Sequence, residues 1–348
     1  MTSSAEVRLD GQSRLVVLQS LRPHTRNDNP YLKQLIRSIE PHAEVAFFSW
    51  GKAIFGRYDV FHVHWPEFLL REQGRNRLVQ YALFLALMVR LKLSRKAVVR
   101  TLHNLEPHEG AGAVERRLLG MLDRRTSIWI RINETTPPRP PQTVTVLHGH
   151  YRDWFAGFEV PPSVPGRLLY FGLIRPYKGL EGLLEGFQAV GPWRSAGMTL
   201  RIVGSPSTAD LRARIEGACS TDERISALLE YVDDETLARE IGQAELVVLP
   251  FRHMHNSGSL VLALSLNRPV LVPRNEANAA LAEEVGPGWI HMYDGDPDET
   301  ALLSALNQAS SDQRGRSPDL GRREWAEAGA SHARVYIAAL RGYEVGEE

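Results

Sequence analysis

At 348 residues the chain is long for one domain, and two domains are expected. Its 43% hydrophobic and 24% charged residues are those of a soluble globular protein, and no run of 18 apolar residues is present to cross a membrane. One cysteine, Cys219, excludes an intrachain disulfide framework, and the opening MTSSAEVRLDGQSR has no apolar core, so no signal peptide is expected.

The net charge is zero but unevenly split. Residues 1–150 hold 22 Lys and Arg against 13 Asp and Glu, a balance of +9; residues 151–348 hold 19 against 28, a balance of −9. A basic half attracts anionic partners such as lipid headgroups or phosphorylated substrates. Nucleic acid is not expected, because no interleaving of aromatic and basic residues accompanies the charge.

Arg14 to Ser20 (RLVVLQS) reads as a first buried strand. A polar loop, Arg22–Asn29, leads to a helix at Pro30, with Asn29 as N-cap and Pro at the first helical position. Val45 to Trp50 is a second strand; Asp59 to His64 is a third, ending in His64-Trp65-Pro66-Glu67. Asn76 to Lys92 is the most apolar helix, with Arg75, Arg77, Arg90, Lys92, Arg95 and Lys96 about its ends. It is either a core helix with solvated ends or a helix lying on an anionic membrane surface. Ala97 to Leu102 is a fourth strand, followed by His103, His108 and Glu109. A helix over Val114–Arg124 and strands at Ser127–Ile132 and Thr143–Leu147 complete the first half, which ends in His148-Gly149-His150.

The Pro-rich stretch Glu159–Gly166 is the expected linker between a domain of residues 1–158 and one of 167–321. Strands follow at Arg167–Phe171, Thr199–Val203, Glu245–Pro250 and Pro269–Val272, and Ser226–Tyr231 is either a further short strand or the continuation of a helix. Helices are expected at 179–190, 208–218, 234–242 and 259–266. Residues 322–348 hold a last amphipathic helix. Strands alternating with helices predict parallel sheets, hence an α/β protein of two Rossmann-like domains facing each other across a cleft. Ligands of such sheets sit at the carboxyl ends of strands. His64, Glu67, His103, His108, His148, His150, Arg175, Lys178, Ser205, Arg252 and Ser257 all follow strands. The stretch RLLYFGLIRPYKG is the sharpest of these. A buried strand runs into a loop with Arg175 and Lys178, and a helix starts near Gly179, which is either a setting suited to a phosphate or diphosphate or an ordinary βα turn with two surface cations.

YFGLIRPYKGLEGLLEGF, LRIVGSPS, AELVVLPFR and NSGSLVLALSLNRPVLVP together resemble the donor half of GT-B glycosyltransferases, near the large group 1 (GT4-like) family. The final helix resembles the GT-B tail that crosses back to the N-terminal domain. The resemblance implies a GDP- or UDP-sugar donor. Lys178 falls on the family's diphosphate-contacting lysine, and Leu173 stands where its arginine usually follows the glycine, with Arg175 two residues on as the substitute. Ser257, Gly258 and Ser259 open the helix whose amides meet the distal phosphate. Tyr231 and Val232 match the loop against the donor base, and Gly204 and Ser205 end a strand at the cleft. Retaining members carry two glutamates eight residues apart near this helix; here those positions are Met254 and Leu262, so the chain resembles a divergent bacterial subgroup acting on exopolysaccharide or lipid-linked sugars.

Glycosyl transfer implies stabilisation of the leaving diphosphate, here by Arg175, Lys178 and the helix start, with Arg252 also expected at the donor and no essential metal or other cofactor expected. An inverting reaction needs a general base in the first half. Glu67 is the first candidate, then His103 and His108, with Arg26, Asn29 and His150 expected at the acceptor or sugar. Each also has a plainer reading: Glu67 as a helix-start carboxylate, the histidines as loop residues bonded to backbone. The expectation is therefore a metal-independent hexosyltransferase of bacterial polysaccharide or glycoconjugate synthesis. It would be cytoplasmic, with peripheral contact to the inner membrane face and a saccharide or lipid-linked acceptor. The alternatives are a non-catalytic nucleotide-sugar binder and a UDP-sugar 2-epimerase-like enzyme.

Overall fold

The computed structural model describes residues 8–9, 13–22, 29–71, 76–103, 112–191, 197–252, 256–311 and 314–344. In chain order the elements are β1 (Arg8–Leu9), β2 (Ser13–Arg14), β3 (Val16–Gln19), α1 (Pro30–Ile39), β4 (Glu44–Phe47), α2 (Trp50–Phe55), β5 (Val60–Val63), α3 (Arg77–Leu93), β6 (Ala97–Leu102), α4 (Ala113–Arg125), β7 (Ile128–Arg131) and β8 (Thr143–Thr145). Then follow α5 (Arg152–Phe155), β9 (Arg167–Phe171), α6 (Leu180–Ala189), β10 (Thr199–Val203), α7 (Ala209–Thr221), β11 (Ile225–Leu228), α8 (Asp234–Gln243) and β12 (Leu246–Val248). The chain closes with α9 (Gly258–Ser265), β13 (Val270–Pro273), α10 (Glu276–Val285), β14 (Ile290–Tyr293), α11 (Glu299–Ala309) and α12 (Trp325–Glu344).

Two compact units result. The first holds Met1–Gly149 and Arg323–Glu348; the second is the continuous stretch His150–Arg322. Each carries a six-stranded sheet, in the orders β4-β3-β5-β6-β7-β8 and β11-β10-β9-β12-β13-β14, with every neighbouring pair parallel. Strands of this kind are covered on both faces, which is why β9 reads as the continuous apolar run LLYF rather than an alternating one.

In the first unit Leu18, Phe61 and Val63 of the sheet pack with Phe84, Leu87 and Leu91 of α3 and Leu118 and Leu122 of α4. Asn29 caps α1 as expected, its Oδ1 accepting the N–H of Tyr31 at 3.0 Å. The helix α12 returns to this unit and packs against α1, β5 and β6.

In the second unit Leu168, Leu169 and Tyr170 of β9 are 0% exposed. Each such side chain contributes about 1.5–3 kcal/mol on burial. At the entry edge, Glu240 of α8 bonds Arg167 of β9 (2.6 Å) and Arg201 of β10 (2.9 Å), tying two neighbouring strands to one helix. Removing that carboxylate would leave two guanidiniums unpaired, at a cost of about 3 kcal/mol.

Three expectations need correction. The strand foreseen over Val45–Trp50 stops at Phe47, because Ser49 Oγ accepts the N–H of Lys52 (3.2 Å) and starts α2. The second sheet has a sixth strand, β14, and two helices, α10 and α11, that were not foreseen. The stretch expected as a linker is bonded into the second unit: Val164 N–H donates to Gln243 O, Gly166 N–H to Glu245 Oε2, and Arg268 Nη2 to Pro161 O. The chain passes between units at Gly149 and His150 instead.

Candidate active site

The second sheet reverses its strand order between β9 and β12, the point beyond which such sheets bind ligands. β9 ends at Phe171 and enters Gly172, whose φ of +107° suits only glycine. A Cβ there would stand 3.6 Å from Ser259 Oγ and 3.8 Å from Lys178 Nζ. Because glycine has none, a space remains between a serine hydroxyl and a lysine ammonium. The chain then makes a 3-10 turn, Pro176–Lys178, and reaches Gly179 in the left-handed region at φ +67°. A Cβ on Gly179 would collide with Pro250 O, so the lysine-bearing loop and the end of β12 are held together by backbone approach.

Lys178 is half-buried, and its Nζ lies 4.4 Å from the Phe251 ring centroid. Burial, and then the neighbouring Arg175, lower its pKa to about 8. Both causes oppose the cation and neither supplies a counter-charge, so an arriving anion relieves the site. Across the space, α9 begins at Gly258, with Ser257 Oγ accepting the N–H of Leu260 at 3.1 Å. Its first turn has no acidic residue, so the partial positive charge of the helix start is uncompensated by side chains on that turn. Lys178, Ser257, Gly258 and Ser259 are therefore brought to one edge of one sheet, with the exposed Arg175 on the same loop.

The other donor candidates are placed as follows. Ser205 follows β10, and its carbonyl accepts the N–H of Ile174 at 3.1 Å, which carries the Gly172 loop towards β10. Tyr231 is 63% exposed beyond β11, beside the half-buried Val232. Arg252 is exposed and paired with Asp296 at 3.2 Å. Leu262, where a retaining enzyme's glutamate was expected, is buried at 8%, and Met254 lies outside the described residues.

In the first unit the order reverses between β3 and β5, and polar residues line that switch. His103 follows β6, and its Nε2 lies 3.0 Å from His64 Nδ1. His64 Nε2 is 2.9 Å from Gln19 Oε1, and Gln19 Nε2 is 3.4 Å from the Tyr336 hydroxyl. That hydroxyl is 2.8 Å from His62 Nδ1, whose Nε2 is 2.8 Å from Thr101 Oγ1. His103 stacks on Trp65 with centroids 4.1 Å apart and meets Tyr31 edge-on at 5.8 Å; Tyr31 also packs on His148 at 4.3 Å. Of the chain, His103 is the half-buried end, and Gln19, His62, His64 and Thr101 are buried. Burial lowers the pKa of every histidine here, that of His64 to about 3 and that of His148 to about 4. These rings are neutral at physiological pH and able to take a proton only where an acceptor lone pair meets substrate.

Glu67 lies half-buried in the 3-10 turn Pro66–Leu69 after β5, close enough to Arg100 to support its charge. The Asn29 oxygen is engaged in capping α1. His150 is buried at 2% in the second unit, its Nδ1 accepting the N–H of Arg152 at 3.3 Å. Arg26 and His108 lie outside the described residues. Among the described residues no group of three His, Cys, Asp or Glu is placed to hold a metal ion.

Gln19, His62 and Tyr336 were missed by sequence reasoning. Gln19 closes the otherwise apolar VVLQ, and His62 in β5 and His64 just after it alternate in DVFHVH, the spacing of one face of an extended run. A polar side chain in a doubly covered strand was the available signal. Tyr336 had none, because its partners lie 274 and 317 positions away.

A family model for glycosyl transferases group 1 matches residues 165–312. The chain is 51% identical over 344 residues to a GDP-mannose:glycolipid 4-beta-D-mannosyltransferase of Xanthomonas campestris pv. campestris (strain ATCC 33913), covering 98% of each. A second protein of that name from Xanthomonas campestris pv. campestris is 50% identical over the same shares. Among solved structures, Anabaena Alr3699/HepE in complex with UDP and glucose matches with a TM-score of 0.60 at 13% identity, covering 96% of this chain and 99% of that one. AviGT4, a glycosyltransferase involved in avilamycin A biosynthesis, matches at 0.58 and 12%, covering 95% and 99%. At such identities the structures speak for the fold, while the full-length relatives speak for the family. The two parallel sheets and these likenesses agree: the chain belongs to the group 1 glycosyltransferases and has the GT-B fold.

Proposed function

We propose that this glycosyltransferase moves mannose from GDP-mannose to the 4-hydroxyl of a sugar on a glycolipid, forming a β-linkage. The observation that carries the donor half of this reading is the space at Gly172, bounded by Lys178 Nζ and Ser259 Oγ at the strand-order switch. The sugar, the nucleotide and the acceptor come from the 51%-identical relatives. GDP-mannose carries an α-linked sugar, so a β-product means inversion. Inversion takes a single displacement. The acceptor oxygen attacks C1, the C1–O bond to the diphosphate breaks with its electron pair leaving on GDP, and a base takes the hydroxyl proton. No carboxylate nucleophile is needed, which agrees with a leucine at position 262.

Lys178, Arg175 and the start of α9 stabilise the charge on departing GDP, with no step asking for a metal. His103 is the favoured base. It is neutral, stacked on Trp65, held by His64, and half-buried at a strand end. Glu67, one strand away, is the second candidate.

A glycolipid acceptor places the reaction at a membrane, and α3 fits that setting. No helix among the described residues is long and apolar enough to cross a membrane. α3 nevertheless exposes Leu78, Val79, Leu85, Val89 and Leu93, with Arg77, Lys92 and Arg95 also exposed. An outward apolar stripe with cations beside it suits the headgroup region of an anionic bilayer on its cytoplasmic face.

The test is transfer of radiolabelled mannose from GDP-mannose to lipid-linked saccharide in anionic vesicles, with the product linkage read by NMR. A β-1,4-mannosyl product that His103→Ala lowers about 100-fold is expected. Transfer from UDP-sugars instead, an α-linked product, or full activity of His103→Ala would each refute a named part.

A further inference from the structure

We propose that Gln19, His64, Tyr336, His62 and Thr101 form a one-way hydrogen-bond chain that fixes which nitrogen of His103 carries the proton, making Gln19 and Tyr336 positioning residues for proton removal from the acceptor. The inference rests on the reading of His103 as base, and its test is separable from that reading.

The direction follows from bonding capacity. Gln19 Oε1 can only accept, so His64 Nε2 donates to it at 2.9 Å. Buried and neutral, His64 has one N–H, so its Nδ1 accepts, and His103 Nε2 must donate across 3.0 Å. On the other side Gln19 Nε2 donates to the Tyr336 oxygen. The Tyr336 hydroxyl then donates to His62 Nδ1, and His62 Nε2–H donates to Thr101 Oγ1. Every donor points from His103 towards Thr101, an alignment in which each bond polarises the next. His103 is thereby the Nε2–H tautomer, and its lone pair is on Nδ1. That is the atom through which it receives the acceptor's proton.

The members come from β3, β5, β6 and α12. The closing helix thus supplies a hydroxyl to the chemistry of the first unit. A purely structural tyrosine at that place needs only its ring, which is 0% exposed.

The experiment uses the full chain with nitrogen-15 histidine and reads the tautomers by two-bond proton–nitrogen NMR, alongside kcat, donor KM and Tm. In the wild type, His64 and His103 are expected as Nε2–H tautomers. Gln19→Glu puts a carboxylate beside His64. Protonated His64 then donates from Nδ1, so His103 switches to Nδ1–H and kcat falls about 100-fold with donor KM unchanged. Tyr336→Phe is expected to mix the His103 tautomers and lower kcat about tenfold with little change in Tm. Gln19→Asn keeps the donor and acceptor pair and is expected to recover part of the activity lost in Gln19→Glu. An Nδ1–H tautomer at His103 in the wild type, or a tautomer that stays unmoved in Tyr336→Phe, overturns the proposal even if Gln19→Glu fails to fold. If the tautomers behave as stated but His103→Ala keeps full kcat, the base assignment fails and the hydrogen-bond chain stands.

Discussion

Lys178 Nζ stands 4.4 Å from the centroid of the Phe251 ring, at the reversal of strand order in the second sheet. The ring face attracts the ammonium by about 0.5–2 kcal/mol but cannot neutralise it. Burial and Arg175 both oppose its charge, and the ring holds it in place.

Its titration gives the first prediction. Free Lys178 loses its proton near pH 8, while a bound diphosphate raises that value. Between the two values, binding takes up a proton. GDP affinity is therefore expected to be flat below pH 7 and to fall up to tenfold per unit above about pH 8. Calorimetric titration from pH 6.5 to 9.5 measures this, and Lys178→Met should bind weakly with no such slope. An unchanged slope in Lys178→Met would remove the lysine from the site.

Gly172→Ala tests the space itself. The substitution strains a residue at φ +107°, a cost of about 1–2 kcal/mol, and sets a methyl between Ser259 and Lys178. A Tm lower by a few degrees and GDP binding weaker by about tenfold or more are expected. A lower Tm with unaltered GDP affinity would mean the diphosphate lies elsewhere.

The buried histidines make the first unit sensitive to acid. Burial holds His64 near 3, and His148 and His332 near 4, against 6.5 in the unfolded chain. Below pH 6.5 the unfolded chain therefore binds more protons, and stability falls. Above pH 6.5 neither state is protonated at these sites, and no dependence arises from them. Each histidine contributes up to about 1.4 kcal/mol per pH unit between pH 6.5 and its folded value. Denaturant midpoints at pH 7.5, 6 and 5 should drop steeply over the last two, and equal midpoints would contradict neutral burial.

The outward stripe of α3 gives a binding prediction. Leu85→Gln together with Val89→Gln is expected to release the protein from vesicles containing phosphatidylglycerol, with Tm within about 2 °C, since both side chains are exposed. Salt should weaken wild-type binding by screening the flanking cations. Undiminished sedimentation of the double variant with vesicles would rule out this face.

The two sheets were legible because parallel strands are long apolar runs between turn residues, and because caps such as Asn29 and Ser257 announce helices. That Gly172, Lys178 and Ser259 meet was legible because they lie in two short segments, Gly172 to Lys178 and Ser257 to Ser259. β14 was not, since Ile-His-Met-Tyr is only four residues and half polar in character, and α10 has alanines where a leucine stripe would show. Trp50 belonged by composition to the apolar run before it, and only the Ser49 cap turns it into a helix start. The histidine chain was half visible. His64 and His103 stood out at strand ends, while their link through Gln19 and Tyr336 exists only once β3, β5, β6 and α12 are side by side.

The return of α12 to the first unit bears on synthesis. The second unit is one uninterrupted stretch, whereas the first is built from residues on both sides of it. Residues up to Gly149 leave the ribosome long before Trp325–Glu344, with all of His150–Arg322 emerging in between. During that interval β5 and β6 lack the helix that covers them, and His62 lacks the Tyr336 hydroxyl. The second unit is free to close first, and the face of the first that α12 covers matures last. A chain built this way completes the hydrogen-bond network around His62 and His64 only when both halves have been made.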